Sequence, residues 1–488
     1  MRLPLFVGGL VFLGACSVLL DTGELSSSLS DASVTPEASS DGSEETSLGR
    51  DSASDSATDA LDVRVDAGPL PIGLGNGQSD LTISNDRVVN AYAAVANALP
   101  TGSRSLTLSG RLDLAAAGSL VMVWQTGVTA ASAATSRTLS GSDGSYELFR
   151  LTSVSGDGLN LTLDRPATAN FANPTLTQVV LVAEYKNLTV AASGRVRAEP
   201  WNGRTGGIVV LFATGKVTVL GSVEANGAGF RGAPTAIDPA ASVNCGLELE
   251  GTSPKYGLRG EGAFTSMYTT KLAGRGRASG GGGGGNCHDS GGGGGGHSGR
   301  GGKGGDGWVN TVGGGGGKGG EEGASSVYAL RERFTLGGGG GAGHTQVHNS
   351  SGANGGGALW IRANAIEANT GTISANGASA PQTVKDDGAG GGGAGGGIFL
   401  QSATSVVCSA SRVQARGGNG GITDAGFVLG PGGGGGGGLV RMEAASLACI
   451  PVVLGAAAAT CTAPGGGSCG ATAGAVGAVE SISPAPAF

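Results

Sequence analysis

The sequence predicts an all-β protein: a right-handed parallel β-helix (solenoid) with long Gly-rich loops, preceded by a small β module and a disordered linker. Three observations point there. A 22-residue unit, GGIVVLFATGKVTVLGSVEANG at Gly206 to Gly227, returns ungapped as GGALWIRANAIEANTGTISANG from Gly356, GGIFLQSATSVVCSASRVQARG from Gly396 and GGLVRMEAASLACIPVVLGAAA from Gly437. The 488 residues include 100 glycines with only 4% aromatic and 14% charged side chains, and the lack of a Gly-X-Y period excludes collagen. Short alternating apolar runs separated by Gly, Ser and Asp fill residues 79–178.

The repeat comes first because it sets the architecture. Val209, Leu359, Phe399 and Val440 share one column, Leu211, Ile361, Gln401 and Met442 a second, and Ala213, Ala363, Ala403 and Ala444 a third. A period of two puts these three columns on one strand face. Val223, Ile373, Val413 and Leu454, then Ala225, Ala375, Ala415 and Ala456, do the same in a second, shorter segment. Large and small side chains recurring in every coil fill a narrow solenoid, with successive strands ~4.8 Å apart. The outward column reads Phe212, Arg362, Ser402 and Glu443, and Gln401 is the one polar intruder inside.

Residues 1–16 read MRLPLFVGGLVFLGAC: one arginine, an apolar run, and a small-residue site ending in Cys16. This resembles the lipobox of bacterial lipoproteins. The resemblance implies that Cys16 becomes the lipidated first residue of an exported protein, and Ser17 after it favours the outer membrane. Residues 17–78 form an acidic stalk. Asp21 to Gly68 alone holds twelve carboxylates against two arginines, too charged and too poor in apolar residues to fold. Without that segment and Arg2, the chain's net charge of −7 becomes +2, so electrostatics nominates no nucleic-acid partner.

Residues 79–178 read as the small β module, with strands near Leu106–Leu108, Leu120–Trp124, Tyr146–Leu151 and Leu159–Leu163, and with Ser84 to Leu99 readable instead as one helix. The solenoid spans 179–488, opening with a looser coil over Val179–Val182, Leu188–Val190 and Val196–Ala198. Its insertion, 228–355, has 27 glycines among the 47 residues of Gly274 to Gly320. Such a segment is either a floppy loop or a set of extended threefold helices packed backbone to backbone. The packed form is the expectation, with Asn286, His288, His297, Arg300, Lys303, Trp308, Lys318 and His344 displayed together on one surface.

Seven cysteines leave six once Cys16 is taken by lipid. Cys408 and Cys449 stand at the same place in successive coils, where the rung spacing suits a disulfide. Cys461 with Cys469 closes a short loop, and Cys245 with Cys287 follows by elimination. Scattered cysteines without C-x-x-C favour disulfides over metal.

Sites for chemistry are sparse. Gly301 to Val309 fits a single calcium-type glycine repeat that needs tandem copies and is a chance match in so glycine-rich a segment, and His344 and His348 lack the acidic partner of a zinc helix and read as solvated loop. No catalytic, cofactor or metal residue is nominated. The chain resembles Gly-rich, adhesin-like exported proteins of bacteria, PE-PGRS-like by composition but without the PE module. That resemblance implies a structural or adhesive role in the cell envelope, with a glycan or cell-surface partner. A polysaccharide-degrading enzyme on the same scaffold and an ice- or crystal-binding polyglycine module are the alternatives.

Overall fold

Where both faces of a parallel sheet are covered, the alternation of apolar and polar residues disappears. The computed structural model describes residues 77–127, 143–238, 249–251, 255–263, 272–308, 317–326, 328–381, 383–426, 428–462 and 467–483. The lipobox with Cys16, the stalk up to 76, and Cys245 lie outside the described residues. Ile208–Val219, Ala358–Ala368, Gly397–Cys408 and Leu439–Glu443 are parallel neighbours, and their opening residues are almost all buried.

Among the described residues, these four strands belong to a nine-stranded sheet that begins with Leu81–Ile83 and Leu188–Val190 and ends with Ala478–Ile482. A second, five-stranded parallel sheet holds Asp86–Arg87, Arg195–Arg197, Ser222–Glu224, Thr372–Ser374 and Val413–Gln414. The chain passes from the first sheet to the second in each repeat, so that Val209, Leu359, Ile398 and Val440 stack with Val223, Ile373 and Val413 in one apolar core.

The expected columns are corrected by register. A shift between Ala363 and Ala365 leaves the ungapped frame right for the second half of the repeat, where Ile366 pairs with Val406, and one residue out in the first half, where Leu359 pairs with Ile398 rather than Phe399. Gln401 therefore stands in the outward column with Phe212, Arg362 and Glu443, in the place expected for Ser402. Leu400 takes its place between Ile361 and Met442, and Ser402 replaces Ala403 beside Ala363. Leu454 also leaves its column: Gln414 bridges Val452, and Leu454 is 51% exposed.

The second-half register carries the disulfide. Val407 pairs with Ala448, so Cys408 and Cys449 come next on adjacent rungs and are joined across a Cα separation of 4.6 Å. Changing Cys408 to Ser removes a cross-link over 41 residues and is expected to cost about 2–4 kcal/mol. Denaturant unfolding and a thiol assay that finds Cys449 newly reactive check this; unchanged stability would speak against it.

Residues 79–178 do not form a module ahead of the parallel sheets. Leu81–Ile83 and Asp86–Arg87 are already rungs of the two sheets, with Ile83 in the apolar core and Asp86 paired with Arg195 of the next rung; Ser84 to Leu99 holds strand Asp86–Arg87 and strand Tyr92–Ala94, so the alternative reading of that stretch as one helix is not the one it adopts. The module is an excursion between the first and second rungs: among the described residues, six antiparallel strands, from Tyr92–Ala94 to Thr177–Leu181, with Thr177–Leu181 inside the module rather than in a coil. A bridge between Val95 and Leu108 ties its two edges together around Phe149, Phe171 and Val123. Its other face, with Trp124 and Leu148, packs on Phe212, Trp360 and Phe399 of the nine-stranded sheet.

The glycine segments are packed. From 388 to 396 the chain bonds in sets three residues apart: the N–H groups of Ala389, Gly392 and Gly395 donate to Gly430, Gly433 and Gly436, while those of Gly391 and Ala394 donate to Gly341 and Gly338. Its carbonyls at Ala389 and Gly392 accept from Gly292 and Gly295 in a third direction. Three residues per turn with lateral hydrogen bonds is the glycine counterpart of the polyproline helix. Neighbouring rods lie so close that a Cβ at Gly293, Gly294 or Gly295 would fall 2.0 to 2.1 Å from a carbonyl oxygen of the next. Rods 352–357, 388–396 and 430–438 run straight into the strands of the nine-stranded sheet, so array and sheet are continuous.

Candidate functional site

A glycine rod has no side chains, so recognition chemistry is confined to its ends and outer rows. At the end away from the nine-stranded sheet, the turns near 289, 307, 345, 387, 429 and 469 meet: Gly430 N–H donates to Asp289 O, Trp308 N–H to Val428 O, Asp306 N–H to Cys469 O, and Gln346 N–H to Asp387 Oδ1. Asp289, Trp308, Asp386 and Cys469 all have positive φ, the left-handed region that L side chains rarely adopt. Backbone outliers gathered in one place motivate a functional reading.

Asp289 is the hub. Its Oδ2 accepts from Trp308 Nε1 at 2.9 Å and lies 3.1 Å from His288 Nδ1, and its Oδ1 accepts from Gln346 Nε2 at 3.2 Å. His344 is wholly buried between Asp289 and Asp238, with a ring nitrogen 3.3 Å from each carboxylate. Asp387 accepts the backbone N–H groups of Gln346 and His348 as well as His348 Nδ1. The partly exposed rings of His288 and Trp308 meet edge to face at 5.0 Å. Beside them Lys318 Nζ is 3.0 Å from Asp306; burial alone would raise that carboxyl, but the Gly319 N–H and the lysines hold it below the usual carboxylate range. The loop is stapled by Cys461–Cys469, Cα atoms 6.1 Å apart, and Cys287 next to His288 is also disulfide-bonded.

The expected single display of eight residues is corrected. Asn286 and His344 are buried, His344 is not solvated, and His297 and Arg300 lie at the opposite end of the array. His288 and His297 flank one rod of about nine residues, which at roughly 3.1 Å per residue separates them by on the order of 28 Å. Nothing in composition shows this, because it depends on where each rod turns.

At the sheet end, His297 Nε2 lies 2.5 Å from Tyr328 Oη. Burial, opposed by the Thr335 backbone, pushes the His297 imidazole down to about 4. The unfolded chain therefore binds this proton first, so stability is complete above about pH 6.5 and falls as pH drops toward 4, by about 3 kcal/mol. Urea unfolding between pH 7 and 4 should show that slope, and His297→Gln should flatten it; an unchanged slope in the variant would refute the assignment.

Among the described residues, no group of three His, Cys, Asp or Glu is placed to hold a metal ion, and no helix is long and apolar enough to cross a membrane. No family model matches the chain, and no curated protein matches it. Two solved structures are similar in part. One is a Pseudomonas phage phi297 tailspike, 11% identical over 77% of this chain and 60% of that one, TM-score 0.16. The other is a tailspike of Acinetobacter baumannii bacteriophage AP22 in complex with a capsular saccharide, 8% identical over 78% of this chain and 59% of that one, TM-score 0.16. The chain spans about three-fifths of their length, and a TM-score that low carries no argument.

Proposed function

We propose that the protein is a lipid-anchored component of a bacterial cell envelope that binds surface glycans through the tip of its glycine-rod array. The parallel sheets would wind as a right-handed β-helix, the hand that parallel crossovers favour. Cys16 would carry the lipid, and the acidic residues up to 78 would space the folded body from the membrane. The observation that supports the binding role is the partly exposed Trp308–His288 pair, held by Asp289 in a stapled, strained loop cluster at the end of a stiff array. An aromatic face beside fixed polar groups is suited to a sugar ring, apolar on one side and hydroxylated at its edge.

Glycan-array binding tests this. Trp308→Ala is expected to weaken the best glycan by about 30-fold, the loss typical of an aromatic hot spot, with the thermal midpoint little changed. Binding that survives the substitution would rule out the tip, and release of reducing or unsaturated sugar ends would make the protein an enzyme instead.

A further inference from the structure

A stack of repeats normally closes with a unit whose outer face is polar or bulky, since each unit otherwise buries its apolar side only against a neighbour. The two ends of this stack differ. At the first rungs, Thr82, Ser84, Asn85, Asp86 and Arg87 are exposed, and Trp201 packs edge-on against Phe230 at 6.3 Å where the rods begin. The last repeat has no such cover among the described residues: Ile450 is 73%, Val476 61% and Val479 42% exposed.

Val479 is informative because it pairs with Val440 and so continues the core column of Val209, Leu359, Ile398 and Val440, with its outer side open. The hydrogen-bond lattice stops at the same place. Gly392 and Gly395 donate to Gly433 and Gly436, and Gly434 and Gly437 donate to Thr472 and Ala475; the equivalent residues one rung further on, Ala473 and Val476, are both at the surface. Inside the molecule, each face of this kind is covered by another rod and strand of the same period.

We propose that this terminal face is the interface of a homodimer, in which a second copy covers it about a twofold axis. The polar first rungs do not match the apolar last repeat, which disfavours head-to-tail stacking, whereas the apolar face matches itself and a twofold contact closes. The runs 471–482 would then lie antiparallel to each other across an axis near Val476, joining two open edges. Its one carboxylate, Glu480, is already paired with Arg441 at 2.7 Å. The run 471–482 is roughly 38 Å long at ~3.1–3.3 Å per residue, and with two layers about 10 Å apart the footprint is on the order of 700 Å² per copy, near the ~800 Å² of a standard interface.

Sedimentation equilibrium of the full chain at micromolar concentration should give a dimer. Val476→Asp should shift it to monomer with circular dichroism and the Cys408–Cys449 disulfide retained, and Val476→Cys, at the axis, should cross-link the two copies on oxidation. A monomeric native chain, or a dimer that persists in Val476→Asp without a Val476→Cys cross-link, would overturn the proposal. Glycan binding by the monomeric variant keeps this result separate from the reading of the tip.

Discussion

Gly295→Ala is expected to destabilise the protein by more than about 4 kcal/mol, a loss large enough to prevent folding in many proteins. The new Cβ would lie 2.0 Å from the Gly338 carbonyl oxygen and 3.1 Å from Ala394 N. Neither neighbour can retreat without breaking bonds of its own, since Gly338 N–H donates to Gly296 O and Ala394 N–H to Gly338 O. Lys303→Ala, in an outer row where the side chain is partly exposed, should stay within about 0.5 kcal/mol of the native chain. Urea unfolding of the two variants side by side makes the comparison; equal stabilities would mean that the rods are not packed against one another.

A comparable loss is expected at Glu443. This carboxylate is 1% exposed and receives Arg331 through two hydrogen bonds of 2.7 and 2.8 Å, Arg441 at 2.6 Å and Gln401 at 3.0 Å. Burial alone would raise its pKa, but these donors overcome that and hold it below the usual carboxylate range. Glu443→Ala leaves two guanidinium groups without their shared anion, and is expected to cost about 3–5 kcal/mol. Glu443→Gln keeps the shape and should be destabilised as well, because the charge is lost. Thermal unfolding near neutral pH reads both, and a variant as stable as the native chain would show that the network contributes nothing.

Much of the scaffold is legible in the sequence because it is periodic. The repeated Gly-Gly openings locate the long strands, and equal offsets place Cys408 beside Cys449. Periodicity also explains the surface of the array: in RGGKGGD, residues 300–306, every third residue carries a side chain and the paired glycines are buried. What escapes a sequence reading is not periodic. The one-residue shift near Ala363 moves Phe399 and Gln401 between faces, and an ungapped comparison has no means of seeing it. The tip is equally hidden, because His344, Asp238 and Asp289 are far apart in the chain and meet only through the way the rods turn.

The rods, and with them the tip and the terminal face, depend on lateral hydrogen bonds between glycine backbones. Amide hydrogen exchange at Gly291 to Gly296 reads those bonds one by one, because the N–H groups there donate to Gly305, Ala389, Gly283, Gly302, Gly392 and Gly280. Protection comparable to that of the Ala358–Ala368 strand is expected. Exchange at the rate of an unstructured chain would show that the glycine segments are not ordered in this way.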